Sequence, residues 1–276
     1  MNTKTFLPKI IALLCIFAPK LAAKMALKIF ATPARIPRPE SEMEMYHLSK
    51  QFFLTNGIAA FEWGNPTNPL VMLIHGWNGR GTQISAFAKL LVEKNFRVVA
   101  LDGPGHGISP GKMSNPTHYA QFILNAQREL SPQGAHAIIA HSFGGGSTVL
   151  ALHRGLIVKG VVLVASPAFY DRVVESFAKS VKLNKKAQII FERLVTELAG
   201  ISPRDLNVAK LSSDLKLPAL IVHDQDDNAV NYISASAIAE SWPQSKLLTT
   251  QGLGHRRILK DQKVIAEVCD FIEHIS

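Results

Sequence analysis

The chain has only two cysteines, Cys15 and Cys269, in 276 residues. They cannot supply a disulfide framework or a four-thiolate metal site, and they leave the redox compartment open. The ten histidines are scattered, without HExxH or any clustered ligand spacing, so no metal is expected. No G-x-G-x-x-G opens a helix, and Gly81 is followed by Thr82 where a P-loop carries lysine, which removes the dinucleotide and P-loop readings. No apolar run reaches the roughly 20 residues needed to span a bilayer. Repeats and low-complexity tracts are also missing. Residues 1–39 contain no acidic side chain at all.

What remains is a chain that is 47% apolar, enough for a core and too apolar for general disorder, with a length suited to one large domain or two small ones. The formal charge of +9 invites a nucleic-acid reading. Its distribution argues against one. Seven basic residues (Lys4, Lys9, Lys20, Lys24, Lys28, Arg35 and Arg38) lie in residues 1–39, and residues 40–276 carry 23 basic against 21 acidic side chains, a net +2. No nucleic-acid partner is expected.

Three readings fit this leader. Ile10 to Ala18 is a short apolar run behind Lys4 and Lys9, the outline of an export signal, although Pro19 and Lys20 follow at once and no Ala-x-Ala site is present. Lys20, Lys24 and Lys28 share one face of a helix over residues 20–31, with Ala22, Met25, Ala26 and Ile29 elsewhere around it. Such a helix can lie on an anionic membrane surface, giving peripheral contact through residues 1–31 at the inner face of a membrane. It can equally pack on its own protein, which is then cytoplasmic. Thr32 to Pro39, with three prolines, reads as an extended linker, and deletion of the leader is expected to leave the remaining domain working.

Residues 40–276 alternate strand and helix. Gln51–Thr55 and Ile58–Trp63 flank Asn56-Gly57, a two-residue hairpin signal. The runs at 70–74, 97–101, 135–140, 158–164 and 220–223, with a weaker one at 246–250, are apolar on both faces, as parallel strands covered on both sides must be. Helical spacing fills the gaps at 84–93, 118–129, 145–153, 232–239 and 258–275. The fold class is therefore α/β, a doubly wound, mostly parallel sheet. Residues 167–217 break the rhythm with helical patterns alone, and are expected to form a helical cap over the carboxyl ends of the strands.

The sharpest local feature is the strand running into Ala140-His141-Ser142-Phe143-Gly144-Gly145, where small neighbours permit a turn tight enough to expose the serine hydroxyl. A hydroxyl needs a base to take its proton and a carboxylate to orient that base. The chain supplies both in order: a strand ending in Asp224, Asp226 and Asp227, then Gly254-His255. Strand ends share one crevice, so Ser142, Asp227 and His255 can converge. Donors for an oxyanion are expected from the backbone N–H groups of Phe143 and Trp77, the latter in His75-Gly76-Trp77 after the first buried strand. His75 and Phe169 are expected in the substrate pocket.

These elements, with Asp102-Gly103-Pro104-Gly105-His106-Gly107 after the second parallel strand, make residues 50–276 resemble the α/β-hydrolase fold enzymes. The resemblance implies structural roles for Asp102 and His106. It also favours Asp227 as the acid, because His223, Asp227 and Val230 match the family pattern, although Asp224 and Asn231 replace its Gly and Pro; Asp226 is the lesser candidate. A serine at the turn argues against the haloalkane dehalogenase and epoxide hydrolase branches, which use aspartate there. The expected activity is hydrolysis of a carboxylic ester of a small acyl substrate through an acyl-enzyme, with no cofactor. A thioesterase, amidase or C–C hydrolase would use the same residues, and a non-catalytic binding protein is the alternative of another class.

Overall fold

The computed structural model describes residues 3–275; the side chain of Lys4, counted in the leader, lies outside the described ones. Helices α1 (Thr3–Phe17) and α2 (Pro19–Ala31) open the chain. Ala18 separates them because a residue before proline is pushed out of helical torsions, while Pro19 suits the first position of the next helix. A short 3-10 turn leads to α3 (Met43–Leu48), β1 (Lys50–Phe53), β2 (Ala59–Trp63) and β3 (Leu70–Ile74). Then come α4 (Ala88–Glu93), β4 (Arg97–Leu101), α5 (Pro116–Leu130), β5 (Ala135–His141), α6 (Phe143–Leu152) and β6 (Val158–Val164). The stretch 167–217 carries α7 (Tyr170–Ser180), α8 (Lys185–Ala199) and α9 (Val208–Ser212). The chain finishes with β7 (Ala219–Asp224), α10 (Ile233–Ser241), β8 (Ser245–Thr250), α11 (Gly254–Arg257) and α12 (Gln262–Glu273).

The strands form one eight-stranded sheet in the order β1-β2-β4-β3-β5-β6-β7-β8. It is parallel from β4 to β8, with β1 and β2 antiparallel at one edge. The β1–β2 connection departs from the expected two-residue turn. Gly57 N–H donates to Leu54 O at 2.7 Å and Leu54 N–H to Ile58 O at 2.8 Å, with Gly57 at φ +78°. That is a three-residue loop with a glycine bulge, which absorbs the same Asn-Gly pair one position later.

Side-chain alternation along the strands builds two separate cores, which is why the strands read as unbroken apolar runs. Leu70, Met72, Ile74, Val99, Leu101, Ile138 and Leu163 pack with Tyr119, Ile123, Val149 and Ile238 on one face. Val71, Leu73, Val98, Ile139, Val162 and Val222 pack with Ile84, Phe87, Leu91, Val264 and Val268 on the other. Shortening a fully buried member such as Leu73 to alanine costs about 2–5 kcal/mol.

A third apolar cluster lies off the sheet. Ile11, Cys15, Ala22, Ala23 and Ala26 of α1 and α2 pack against Val174, Ala178, Phe191 and Val195 of α7 and α8. Phe30 meets Phe177 and Phe191 with ring centroids 4.9 and 5.6 Å apart. Small residues on α2 allow close approach, while Lys9, Lys20, Lys24 and Lys28 point to solvent. The segment after α2 has no regular structure and is strapped down. Ala34 N–H donates to Asn78 Oδ1 at 2.7 Å, and the Arg35 guanidinium donates to the carbonyls of Gly107, Ser109 and Gly111 at 2.6, 2.7 and 3.0 Å. Further on, a buried two-pronged pair joins Arg80 to Glu42 at 2.7 and 2.8 Å.

Candidate active site

Ser142 sits between the end of β5 and the start of α6 with φ 51° and ψ −121°, a strained conformation for a residue with a side chain. Its backbone N–H donates to Val164 O at 2.9 Å, which ties the turn to the neighbouring strand. The turn leaves no space behind it: a Cβ on Gly144 would stand 2.5 Å from the carbonyl oxygen of His75. Strain held by such packing lifts the hydroxyl away from the strand.

His255 Nε2 lies 3.1 Å from Ser142 Oγ, and His255 Nδ1 lies 2.7 Å from Asp227 Oδ2. The other Asp227 oxygen accepts from the N–H groups of Ala229 and Val230 at 2.8 and 2.9 Å, which fixes the carboxylate plane. Burial pushes the Asp227 carboxyl up, but hydrogen bonds from His223, His255 and Val230 outweigh it and hold the group well below the usual carboxylate range. It is therefore an anion facing the imidazole. A hydroxyl, imidazole and carboxylate in this sequence of contacts can generate an oxygen nucleophile.

The three candidate carboxylates separate cleanly. Asp224 accepts from Thr250 Oγ1 at 2.7 Å, Leu253 N–H at 3.0 Å and Asp226 N–H at 3.0 Å, and Asp226 accepts from Gly252 N–H at 2.9 Å. Both bind the loop that carries His255 to the loop that carries Asp227; neither is hydrogen-bonded to the imidazole.

His75 does not line the cavity and is corrected to a structural role. It is fully buried, and its Nε2 accepts the Gly103 N–H at 2.9 Å, so the proton sits on Nδ1, which donates to Gly76 O at 2.7 Å. Burial drives its pKa down to about 4, so it is neutral. Asp102 accepts from Gly81 and Ile108 N–H groups at 2.7 and 2.8 Å and organises the following turn, while His106 packs edge-on to Trp77, centroids 5.3 Å apart.

Trp77 and Phe143 both border the cavity beside Ser142. Phe143 is the first residue of α6, where an N–H has no intrahelical acceptor. The cavity has a volume of about 770 Å³ and is lined also by Phe169, Tyr170, Phe177, Val230 and His255. Four contributors had no signal in the sequence. Ile29, Phe30 and Ala31 of α2 form part of the wall, and Asn78 lies beside Trp77. The second helix of the leader encloses the space in front of the serine, which tells against the expectation that the remaining domain works largely unchanged without it. His141, inside the serine motif, has a role that its place in the sequence does not signal. Its Nε2 donates to His255 O at 2.9 Å, which positions the imidazole through its backbone.

Comparison with known proteins agrees with this architecture. A family profile described as alpha/beta hydrolase fold matches residues 69–201, and one described as TAP-like protein matches 201–274. The chain is 31% identical over 244 residues to the bifunctional esterase/perhydrolase DCH of Acinetobacter calcoaceticus, covering 70% of this chain and 87% of that protein. It is 29% identical over 119 residues to a serine hydrolase-like protein of Mus musculus, covering 41% of this chain and 38% of that one. This chain spans only 31–53% of the length of the mouse, Dictyostelium discoideum and human serine hydrolase-like proteins. Among solved structures, the esterase EaEST from Exiguobacterium antarcticum superposes with a TM-score of 0.62 at 18% identity, covering 82% of this chain and 99% of that one. On this sheet order and these matches, the chain belongs to the alpha/beta hydrolase fold family.

Proposed function

We propose that the protein is a serine hydrolase that cleaves a carboxylic ester through an acyl-enzyme. The observation that carries the reading is the continuous contact from Asp227 through His255 to Ser142, ending in a mainly apolar cavity. Ser142 is the nucleophile, His255 the base that takes its proton, and Asp227 the group that orients the imidazole and stabilises its charged form. The oxyanion that forms when Ser142 attacks the carbonyl is held by the N–H groups of Phe143 and Trp77. His255 then returns the proton to the departing alcohol. Water, deprotonated by the same imidazole, releases the acid.

The cavity walls support an acyl or alcohol group with a carbon chain, since Phe30, Phe169, Phe177 and Val230 offer surface and few hydrogen bonds. Residues 167–217 act as the cap of this site, together with α2. The name of the Acinetobacter relative, an esterase/perhydrolase, and that of a Bacillus subtilis carboxylesterase, 22% identical over 189 residues, favour an ester over an amide or thioester.

The test is turnover of a series of p-nitrophenyl esters, with labelling by a fluorophosphonate read by mass spectrometry. Wild type is expected to hydrolyse the esters and to carry the label on Ser142, and Ser142→Ala to do neither. Equal turnover by both proteins would overturn the reading.

A further inference from the structure

The outward face of the α1–α2 pair has no partner among the described residues. On α1, Leu13, Ile16 and Phe17 are 60, 69 and 80% exposed, and Leu21 at the start of α2 is 50% exposed. Leu13, Ile16 and Phe17 lie three and four residues apart on one stripe, directly opposite the stripe of Ile11 and Cys15 that packs inward. A single exposed leucine needs no explanation, but four large apolar side chains gathered at one corner do.

Charge says what covers them. Lys9 is one turn before Leu13 on the same stripe, and Lys20, Lys24 and Lys28 run along α2 beside Leu21. All four lysines are exposed, none is ion-paired among the described residues, and no acidic residue occurs before Glu40. A second copy of this chain would bring the same lysines against themselves. An apolar corner ringed by ammonium groups fits a bilayer surface bearing anionic headgroups, where the side chains enter the acyl boundary and the lysines reach phosphates.

We infer that the α1–α2 corner docks the protein peripherally on an anionic lipid bilayer, with Leu13, Ile16, Phe17 and Leu21 inserted and Lys9, Lys20, Lys24 and Lys28 in the headgroup layer. Spanning is not involved: among the described residues no helix is long and apolar enough to cross a membrane. The same helix that carries Leu21 reaches the cavity wall at Ile29, about 12 Å further along its axis. Docking at the corner therefore brings the cap side of the cavity next to the lipid.

The experiment is flotation of the full chain with vesicles of phosphatidylcholine alone and of phosphatidylcholine mixed with phosphatidylglycerol. Wild type is expected to float with the mixed vesicles, to bind pure phosphatidylcholine weakly, and to release as salt is raised. The variant Leu13→Ser/Ile16→Ser/Phe17→Ser, and separately Lys20→Glu/Lys24→Glu, should each lower the partition coefficient at least about tenfold. Both should keep wild-type thermal unfolding and wild-type turnover of a soluble short-chain ester, because none of these side chains lines the cavity. Vesicle binding is read without reference to turnover, so it stands or falls apart from the esterase reading. No flotation with anionic vesicles, flotation unchanged in both variants, or a gel-filtration dimer that vanishes in the triple serine variant would overturn it.

Discussion

The indole of Trp77 and the ring of Phe143 meet edge to face, their centroids 5.1 Å apart at an angle of 72°. One residue follows β3 and the other opens α6, so this contact sets the distance between two loops whose backbone N–H groups are the proposed oxyanion donors. His106 backs the indole and Tyr119 the phenyl ring, each at van der Waals range. Side-chain packing thus fixes the spacing of main-chain donors that no side chain substitution can delete.

Trp77→Ala should therefore lower kcat for p-nitrophenyl esters by about ten- to a hundredfold, the cost of misplacing donors by a fraction of an ångström to an ångström. KM should change far less, and Ser142 should still react with fluorophosphonate. A variant with unchanged kcat would show that the ring contact does not set donor positions.

Replacing Ser142 or His255 by alanine should each reduce turnover by about a thousandfold or more, and the double variant should be no slower than the worse single one, since the groups act as a unit. Asp227→Asn, which keeps the shape and removes the charge, should cost about a thousandfold or more as well. Steady-state kinetics on one ester settle this; additive losses in the double variant would contradict a shared proton path.

Acid should weaken the fold before it reaches the carboxylates. Burial is the main cause that holds His75 at about 4 and His106 and His141 at about 3, against an ordinary value of 6.5. The unfolded chain binds more protons below pH 6.5, so stability is full above that value and falls as pH drops toward these lower ones. The slope is up to about 1.4 kcal/mol per pH unit for each ring. Asp227, held below the carboxylate range, adds its loss only at lower pH still. Urea midpoints measured at about pH 7.5 and about pH 5 should differ clearly; equal midpoints would mean that the rings are already charged when folded.

The wall contributed by α2 should set acyl-chain preference. Phe30→Ala opens space beside Phe177 and is expected to move the kcat/KM maximum toward longer acyl chains, while Ile29→Trp should move it toward shorter ones. Hydrolysis profiles across an ester series read both. A profile that stays put in both variants would remove α2 from the substrate site.

Most of the sheet was legible because each inner strand is covered on both sides, so runs such as Leu70–Ile74 and Val161–Val164 carry no polar interruption. The meeting of Ser142, Asp227 and His255 was legible from chain order, since parallel strands deliver their ends to one edge. The partner of α2 was not. Alternation of alanine and lysine states that one face is apolar without naming what it meets, and Val174 to Val195 lie far along the chain. The role of His75 was hidden for a related reason: proximity to the site in sequence does not say which way a ring points, and this one turns inward to Gly103 and Tyr119.

Because α1 and α2 bury Ile11 and Cys15 against helices made much later, the order of synthesis matters. At ordinary rates the ribosome needs roughly ten to thirty seconds to travel from α2 to Val195. During that interval the hairpin has left the exit tunnel with its inner face as bare as its outer one. Nascent chains arrested before Val174 should thus react at Cys15 with a thiol reagent, whereas the finished chain, in which that thiol is 3% exposed, should resist it.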